Sequence, residues 1–422
     1  MRILYVSHYF PPEMGAAAAR VHELSREWVR LGHQVEVLTG FAHYPLGVKA
    51  PADRWKLTRR EDKDGIGVIR VYLYATANQG VVKRMMSFAS FLLSAVAIGA
   101  VRIRRPDVVV ATSPQLLSAL AGYLLAWIKR APFVFEVRDL WPESILAVEA
   151  MGENFVVRRL KDLVRYLYRH SSRIVTVGEG YRRSIAKLYG IAETAMDVIP
   201  NGIDTELFVP GPAENEVRRE YGWGDRFVIM YLGTHGMAHA LHKVLEAAQA
   251  LSGEPDKLFV LVGEGAEKGA LKRQAAAGDL KNVQFIDQQP KARVPLFYAA
   301  CDLGLVTLRA TPLFQEVLPS KIFEYLAMER PLLISVDGEA RRVVESAGAG
   351  EFVPPEDVPL MVEAIRRAAA EKDRFREMGR QGREYVIRHF DRRALARRYL
   401  EVLTEVCAPA GGKRSLPGRA DI

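Results

Sequence analysis

Only two cysteines, Cys301 and Cys407, occur in 422 residues. That excludes a disulfide scaffold, and their separation matches neither a Cys-x-x-Cys pair nor a zinc spacing. No Gly-x-Gly-x-x-Gly follows any predicted strand, which argues against a dinucleotide-dependent dehydrogenase. Despite a net charge of +9, no zinc-finger, RNP-like or basic-zipper pattern is present, so nucleic acid is not the expected partner. Long apolar runs are equally scarce. Met85–Val101, at about 17 residues, lies at the short limit for a membrane span. The opening Met1-Arg-Ile-Leu-Tyr-Val-Ser is too short and too strand-like for a signal peptide. A reduced, cytoplasmic chain is expected.

Hydrophobic residues make up 49% and charged residues 26%, the balance of a soluble globular protein too long for one ordinary core. Charge is unevenly spread. Residues 1–204 hold 28 Lys/Arg against 19 Asp/Glu, residues 205–384 hold 23 against 27, and the remainder 8 against 4. A basic first half and tail around an acidic middle point to an anionic membrane surface.

Strand signals alternate with helical ones along both halves. Residues 2–7 read as a buried strand. Next come a small-residue loop around Gly15 and a helix with Val21, Leu24, Trp28 and Leu31 on one face, which ends at Gly32 before a second strand from Val35. This is a βαβ unit, in which Gly15 serves either close phosphate approach or tight packing, and Arg20 is either a second cation there or a surface ion-pair partner. Met85–Val101, bracketed by Lys83, Arg84, Arg102, Arg104 and Arg105, reads as a core helix, an interfacial membrane helix or a span, with its basic flanks favouring the interface. The strand Phe133–Val137 ends in Arg138, Asp139 and Glu143, where an open α/β sheet binds ligands. After the Asn201-Gly202 turn the theme repeats, with strands near 226–232, 258–262, 283–286, 303–306 and 332–335. Gly233 and Gly236 form a second close-approach loop around His235, while Gly263-x-Gly265 is either part of a base pocket or only a turn. His235, His239 and His242 lack an adjacent carboxylate, so no metal site is expected.

The most informative stretch is Glu316-Val-Leu-Pro-Ser-Lys-Ile-Phe-Glu324. Pro319 suits a first helical position, which leaves the amides of Ser320, Lys321 and Ile322 unsatisfied beside the Lys321 ammonium and ready for an anion such as phosphate. This stretch, continuing as Tyr325-Leu-Ala, resembles the signature of the family 4 retaining glycosyltransferases. One departure is Glu329, where that family usually has glycine. The resemblance implies Glu316 on the donor sugar, Glu324 on the ribose and the Ser320–Ile322 amides on the diphosphate. Gly15, Arg20, Gly32-His33-x-Val35 and Pro200-Asn201-Gly202-Ile203-Asp204 resemble further family motifs. Tyr44-Pro-x-Gly47 and Arg138-Asp-x-Trp-Pro142 resemble a bacterial subgroup that transfers amino or fucose-type sugars, such as L-fucosamine, in surface-polysaccharide assembly.

The family likeness implies the GT-B fold: two facing Rossmann-like domains, 1–204 and 205–384, with an interdomain cleft and a C-terminal helix, 385–407, crossing back to the first. Residues 408–422 are expected to be disordered. It implies a metal-independent, retaining transfer from a nucleotide-sugar, UDP type favoured, with no cofactor. Glu316, Lys321 and Asp139 are the expected catalytic residues. Gly15, Gly233, His235, Gly236, Gly263, Ser320, Ile322 and Glu324 are expected to bind the donor, with Lys243 a further cation, and His43, Tyr44, Arg138 and Glu143 to line the acceptor site. The expected acceptor is a glycan or a polyprenyl-diphosphate-linked saccharide of O-antigen, capsule or exopolysaccharide, reached from the inner face of the cell membrane. The alternatives are a nucleotide-sugar epimerase on the same fold and a non-catalytic nucleotide-sugar-binding scaffold.

Overall fold

A computed structural model of the chain describes residues 1–13, 15–43, 47–76, 81–144 and 155–408. The chain divides into two compact units, residues 1–200 joined by the chain from Arg393 onward, and residues 201–392.

The first unit is built on β1 (Arg2–Val6), β2 (Gln34–Gly40), β3 (Thr58–Lys63), β4 (Ile66–Val71), β5 (Val108–Thr112), β6 (Phe133–Val137), β7 (Arg173–Thr176) and β8 (Met196–Val198). They form one sheet in the order β3-β4-β2-β1-β5-β6-β7-β8. All neighbours are parallel except β3, which runs antiparallel to β4 through Asp64-Gly65. Both turn residues have positive φ, 56° and 78°, the pairing a two-residue hairpin of matching twist requires. Every residue of β5 and β6 is buried, as expected of parallel strands covered on both faces. The covering helices are α1 (Ala16–Arg30), α2 (Val81–Arg102), α3 (Leu116–Lys129), α4 (Phe155–His170) and α5 (Glu179–Tyr189).

The second unit carries β9 (Phe227–Leu232), β10 (Lys257–Val262), β11 (Val283–Ile286), β12 (Leu303–Thr307), β13 (Leu332–Ser335) and β14 (Gly350–Phe352). This all-parallel sheet has the order β11-β10-β9-β12-β13-β14. Its helices are α6 (Glu216–Glu220), α7 (Leu241–Ala250), α8 (Lys268–Ala277), α9 (Val294–Ala300), α10 (Lys321–Ala327), α11 (Glu339–Ser346), α12 (Val358–Ala370) and α13 (Lys372–Phe390). In each sheet the strand order reverses beside the first strand, between β1 and β5 and between β9 and β12. The crevice beyond the carboxyl ends at such a reversal is where doubly wound sheets bind ligands.

The returning segment 385–407, whose last helix is expected at about residues 392–406, is broken once. α13 stops at Phe390, and α14 (Arg392–Cys407) starts afresh. Asp391 breaks the helix by bridging to Ile203, whose N–H donates to the Phe390 carbonyl at 2.9 Å. α14 then completes the first unit's core, packing Leu395, Tyr399 and Leu403 with Trp28, Tyr5 and Val110. The Trp28 indole N–H donates to the Ala396 carbonyl at 2.9 Å. The expected tail disorder beyond residue 408 lies outside the described residues.

Candidate nucleotide-binding site in the second unit and polar cluster in the first

At the carboxyl ends of β9 and β10 two loops lock together. The Gly233 N–H donates to Val262 O at 2.9 Å, the His235 N–H to Glu264 O at 2.8 Å, and the Glu267 N–H to His235 O at 2.9 Å. A Cβ on Gly263 would strike the Gly233 carbonyl, and one on Gly265 would lie 2.6 Å from the His235 carbonyl carbon. Glycine at 263 is therefore demanded by the neighbouring loop. Gly236 has φ −118°, and a Cβ there would make only ordinary contacts, 3.5 Å to Thr234 and 3.8 Å to His239, so neither its backbone nor its packing within the protein demands glycine.

Gly233 differs. Its φ is 152°, and a Cβ there would fall 2.7 Å from Lys321 Nζ. Lys321 reaches this loop from the first turn of α10. Its Nζ is sealed from solvent with no hydrogen-bond partner and sits 3.7 Å above the centre of the Tyr231 ring. The Tyr231 hydroxyl is turned to donate to Thr234 O at 2.8 Å. Burial lowers the Lys321 ammonium to about 7, although Glu324 opposes the shift. A buried ammonium is stabilised by an anion brought within hydrogen-bond reach, which also raises its pKa again.

One turn along α10, Glu324 accepts a hydrogen bond from the Tyr298 hydroxyl at 2.5 Å, and burial pushes its carboxyl upward. His235 is fully buried with both ring nitrogens unpartnered, and burial, with Lys268 and Lys321, lowers it to about 4. It is neutral at physiological pH. His239 Nδ1 is likewise unpartnered, and burial takes that ring to about 3.

The expected anion seat at the start of α10 is smaller than the sequence implies. The helix begins at Lys321 and has seven residues, and the Ile322 N–H already donates to Pro319 O at 3.1 Å. Ile322 is thus withdrawn as an amide donor, leaving Ser320, the N-cap, and Lys321. Glu316, partly exposed, ends the short 3-10 turn Pro312–Glu316. Lys243, the alternative cation, is occupied by Glu246 at 2.9 Å. Lys268 is tied to Gly263 O at 2.8 Å, Glu264 at 2.6 Å and Asp287 at 2.5 Å.

In the first unit the largest departure concerns Arg20. It is neither a surface partner nor an open cation. Its Nε donates to Glu136 at 3.0 Å and its Nη atoms to Pro200 O and Ile199 O at 2.7 and 2.9 Å. Glu136 also accepts from the Tyr5 hydroxyl at 2.7 Å. Burial opposes the charge on Glu136, yet Arg20 holds its carboxyl below the ordinary range. With Glu136 engaged, Arg138 keeps Nε and Nη1 buried and unpartnered, while its N–H donates to Ser113 Oγ at 2.9 Å. Asp139 accepts from Ser144 Oγ at 3.2 Å, and burial raises its carboxyl. Glu143 accepts from the Tyr189 hydroxyl. His43 is buried, its Nδ1 3.1 Å from Phe41 O and 3.3 Å from Glu13. Tyr44 lies outside the described residues. Gly15, exposed at the N-cap of α1 with φ 129° and no atom within 4 Å of a would-be Cβ, is needed by its backbone and not by packing. Among the described residues no three His, Cys, Asp or Glu side chains gather as a metal-binding group.

Sequence reasoning missed Tyr231, Tyr298 and Arg309. Arg309, at the end of β12, forms no ion pair among the described residues and lines a small cavity with Thr311, Gln315 and Asp337. Tyr231 and Tyr298 are distant in sequence from the Glu316–Glu324 motif, whereas Arg309 precedes it by a short loop, and nothing in their local spacing marks them.

Comparison with known proteins agrees with this architecture. Residues 15–202 match the Glycosyl transferase 4-like domain, and residues 213–385 match Glycosyl transferases group 1. The putative colanic acid biosynthesis glycosyl transferase WcaI of Escherichia coli is 26% identical, over 95% of this chain and 99% of that one. The probable glycosyltransferase WbjE of Pseudomonas aeruginosa is 25% identical over 66% and 69%. Anabaena Alr3699/HepE, solved in complex with UDP-glucose, superposes with a TM-score of 0.73 at 18% identity, covering 96% of this chain and all of that one. With consecutive family matches over both halves and the fold they share, the chain belongs to the family 4 glycosyltransferases of the GT-B fold.

Proposed function

We propose that the chain is a retaining, metal-independent glycosyltransferase that moves a sugar from a UDP-type nucleotide-sugar to a glycan or lipid-linked acceptor during assembly of a bacterial surface polysaccharide. The carrying observation is Lys321 Nζ, sealed and unpartnered beside a glycine whose Cβ would displace it. The relatives support the pathway reading, since WcaI is named for colanic acid biosynthesis. HepE, bound to UDP-glucose, supports the donor class. An amino or deoxy sugar is assigned from the likeness of residues 44–47 and 138–142 to the subgroup that transfers such sugars.

In this reading the departing diphosphate is stabilised by the Lys321 ammonium and the Ser320 and Lys321 amides, preorganised where water is excluded. Contact with two phosphates restores the proton that burial loosens. Glu316 and the Gly233 loop hold the sugar, Glu324 the ribose, and Asp139 the acceptor hydroxyl.

Replacement of Glu316 with alanine tests the assignment. Transfer from the donor found in a thermal-shift panel of nucleotide-sugars should fall at least a hundredfold while nucleotide affinity changes little. Unchanged turnover refutes the role of Glu316. Donor epimerisation without any acceptor would favour an epimerase instead.

A further inference from the structure

Helix α2 is 22 residues long and about 33 Å from end to end, with one face in the first unit's core through Ser87, Phe91 and Ala95. Its outward face carries Met86, Ala89, Leu93, Ala97 and Val101, spaced three or four apart and therefore in one stripe. Leu93 is 71% and Val101 84% exposed. A surface helix normally turns charge outward, yet α2 has no charged residue between Arg84 and Arg102. By length and composition Lys83–Arg102 could cross a membrane, but the face packed into the core prevents that.

The neighbours extend the stripe. Lys129 of α3 donates to the Ala100 carbonyl at 2.6 Å, which fixes the end of α3 beside the end of α2, and the adjoining Trp127 is 72% exposed. On the other side the Tyr74 N–H donates to Ser90 Oγ, Ser94 Oγ donates to Tyr72 O, and the Tyr72 N–H donates to Leu57 O. Tyr72, Tyr74, Leu57 and Trp55 are all exposed. Tyrosine and tryptophan at the margin of an apolar strip suit the boundary between headgroups and acyl chains. Cations border both ends, Lys83 and Arg84 at one and Arg102, Arg104, Arg105 and Arg130 at the other. None of them forms an ion pair among the described residues.

We propose that this face, α2 with the end of α3 and the Trp55–Tyr74 margin, docks on an anionic phospholipid bilayer with α2 lying in the interfacial plane. The charge pattern selects the occupant. A second copy in antiparallel register would set one basic border against another, whereas acidic headgroups satisfy both ends at once. The inference is independent of the catalytic reading, and the Glu316→Ala enzyme should bind vesicles like the wild type.

Co-sedimentation of the full-length protein with phosphatidylcholine vesicles, with and without about 30% phosphatidylglycerol, tests it. Binding should be at least tenfold tighter to the acidic vesicles and weaken in high salt. Leu93→Glu with Val101→Glu should reduce it at least tenfold without changing Tm, because both side chains are exposed in the free protein. Arg102→Gln with Arg104→Gln should reduce it roughly fivefold per cation. Equal binding to both vesicle types, or full retention in the Leu93/Val101 variant, overturns the proposal. A concentration-dependent dimer that Leu93→Glu dissociates would also overturn it, assigning the face to a self-interface.

Discussion

Replacing Lys321 with methionine should make the protein more stable and less able to bind its donor. The buried ammonium falls from an ordinary 10.5 to about 7, which corresponds to a penalty on the charged form of about 5 kcal/mol at most. Relaxation and water entry reduce the measurable part to about 2–4 kcal/mol. Methionine fills a similar volume without charge, so below pH 7 the second unit should melt about 5–10 °C higher in the variant. The pH dependence has a definite sign. Between pH 7 and 10.5 the unfolded chain keeps a proton on this lysine that the folded chain has released, so wild-type stability rises with pH across that window. The variant should lack this rise, and calorimetric scans of both proteins from pH 6 to 10 would isolate it. Binding should move oppositely. In the proposed reading the donor diphosphate requires the charged amine, so wild-type affinity for UDP, used as the probe, should fall up to tenfold per pH unit above 7, while the variant binds weakly throughout. A variant that melts lower than wild type at pH 6, or binds UDP as well as the wild type, would refute the reasoning.

Gly233→Ala should force Lys321 aside, since the added Cβ would lie 2.7 Å from Nζ at a φ of 152°. Calorimetric titration should show nucleotide affinity at least tenfold lower, with a stability loss of about 1–3 kcal/mol. Arg20→Met should leave the buried Glu136 carboxylate without its paired guanidinium, though still bonded to Tyr5, and cost the first unit about 3–5 kcal/mol in urea unfolding. The double variant Arg20→Met/Glu136→Leu should recover most of that.

Two repeated βαβ patterns were readable because parallel strands buried on both faces must be continuous apolar runs, as in β5 and β6. The hairpin of β3 and β4 was not. β3 is Thr-Arg-Arg-Glu-Asp-Lys, an edge strand whose charges discourage pairing with other chains and also hide its alternation. The Glu316–Glu324 motif identified Lys321 and Glu324 but not what surrounds them. Tyr231 reaches Lys321 from β9 and Tyr298 reaches Glu324 from α9, and no local spacing records such tertiary contacts. The open Ile322 amide failed for a local reason, since a tight first turn through Pro319 uses that donor. The returning helix was legible to within a residue at each end, while the break at Asp391 comes from a bridge to Ile203 that no local spacing records.

The position of α14 also bears on how the molecule is made. Trp28, Tyr5 and Val110 emerge early from the ribosome, yet the side chains that cover them, Leu395, Tyr399 and Leu403, are translated last. At roughly 5–20 residues per second, the amino-terminal half waits tens of seconds with an uncovered apolar flank while the intervening unit, which contains all of its own strands, can fold. Order of synthesis and order of completion are therefore reversed, and a nascent chain stalled before Arg392 would present that flank to chaperones.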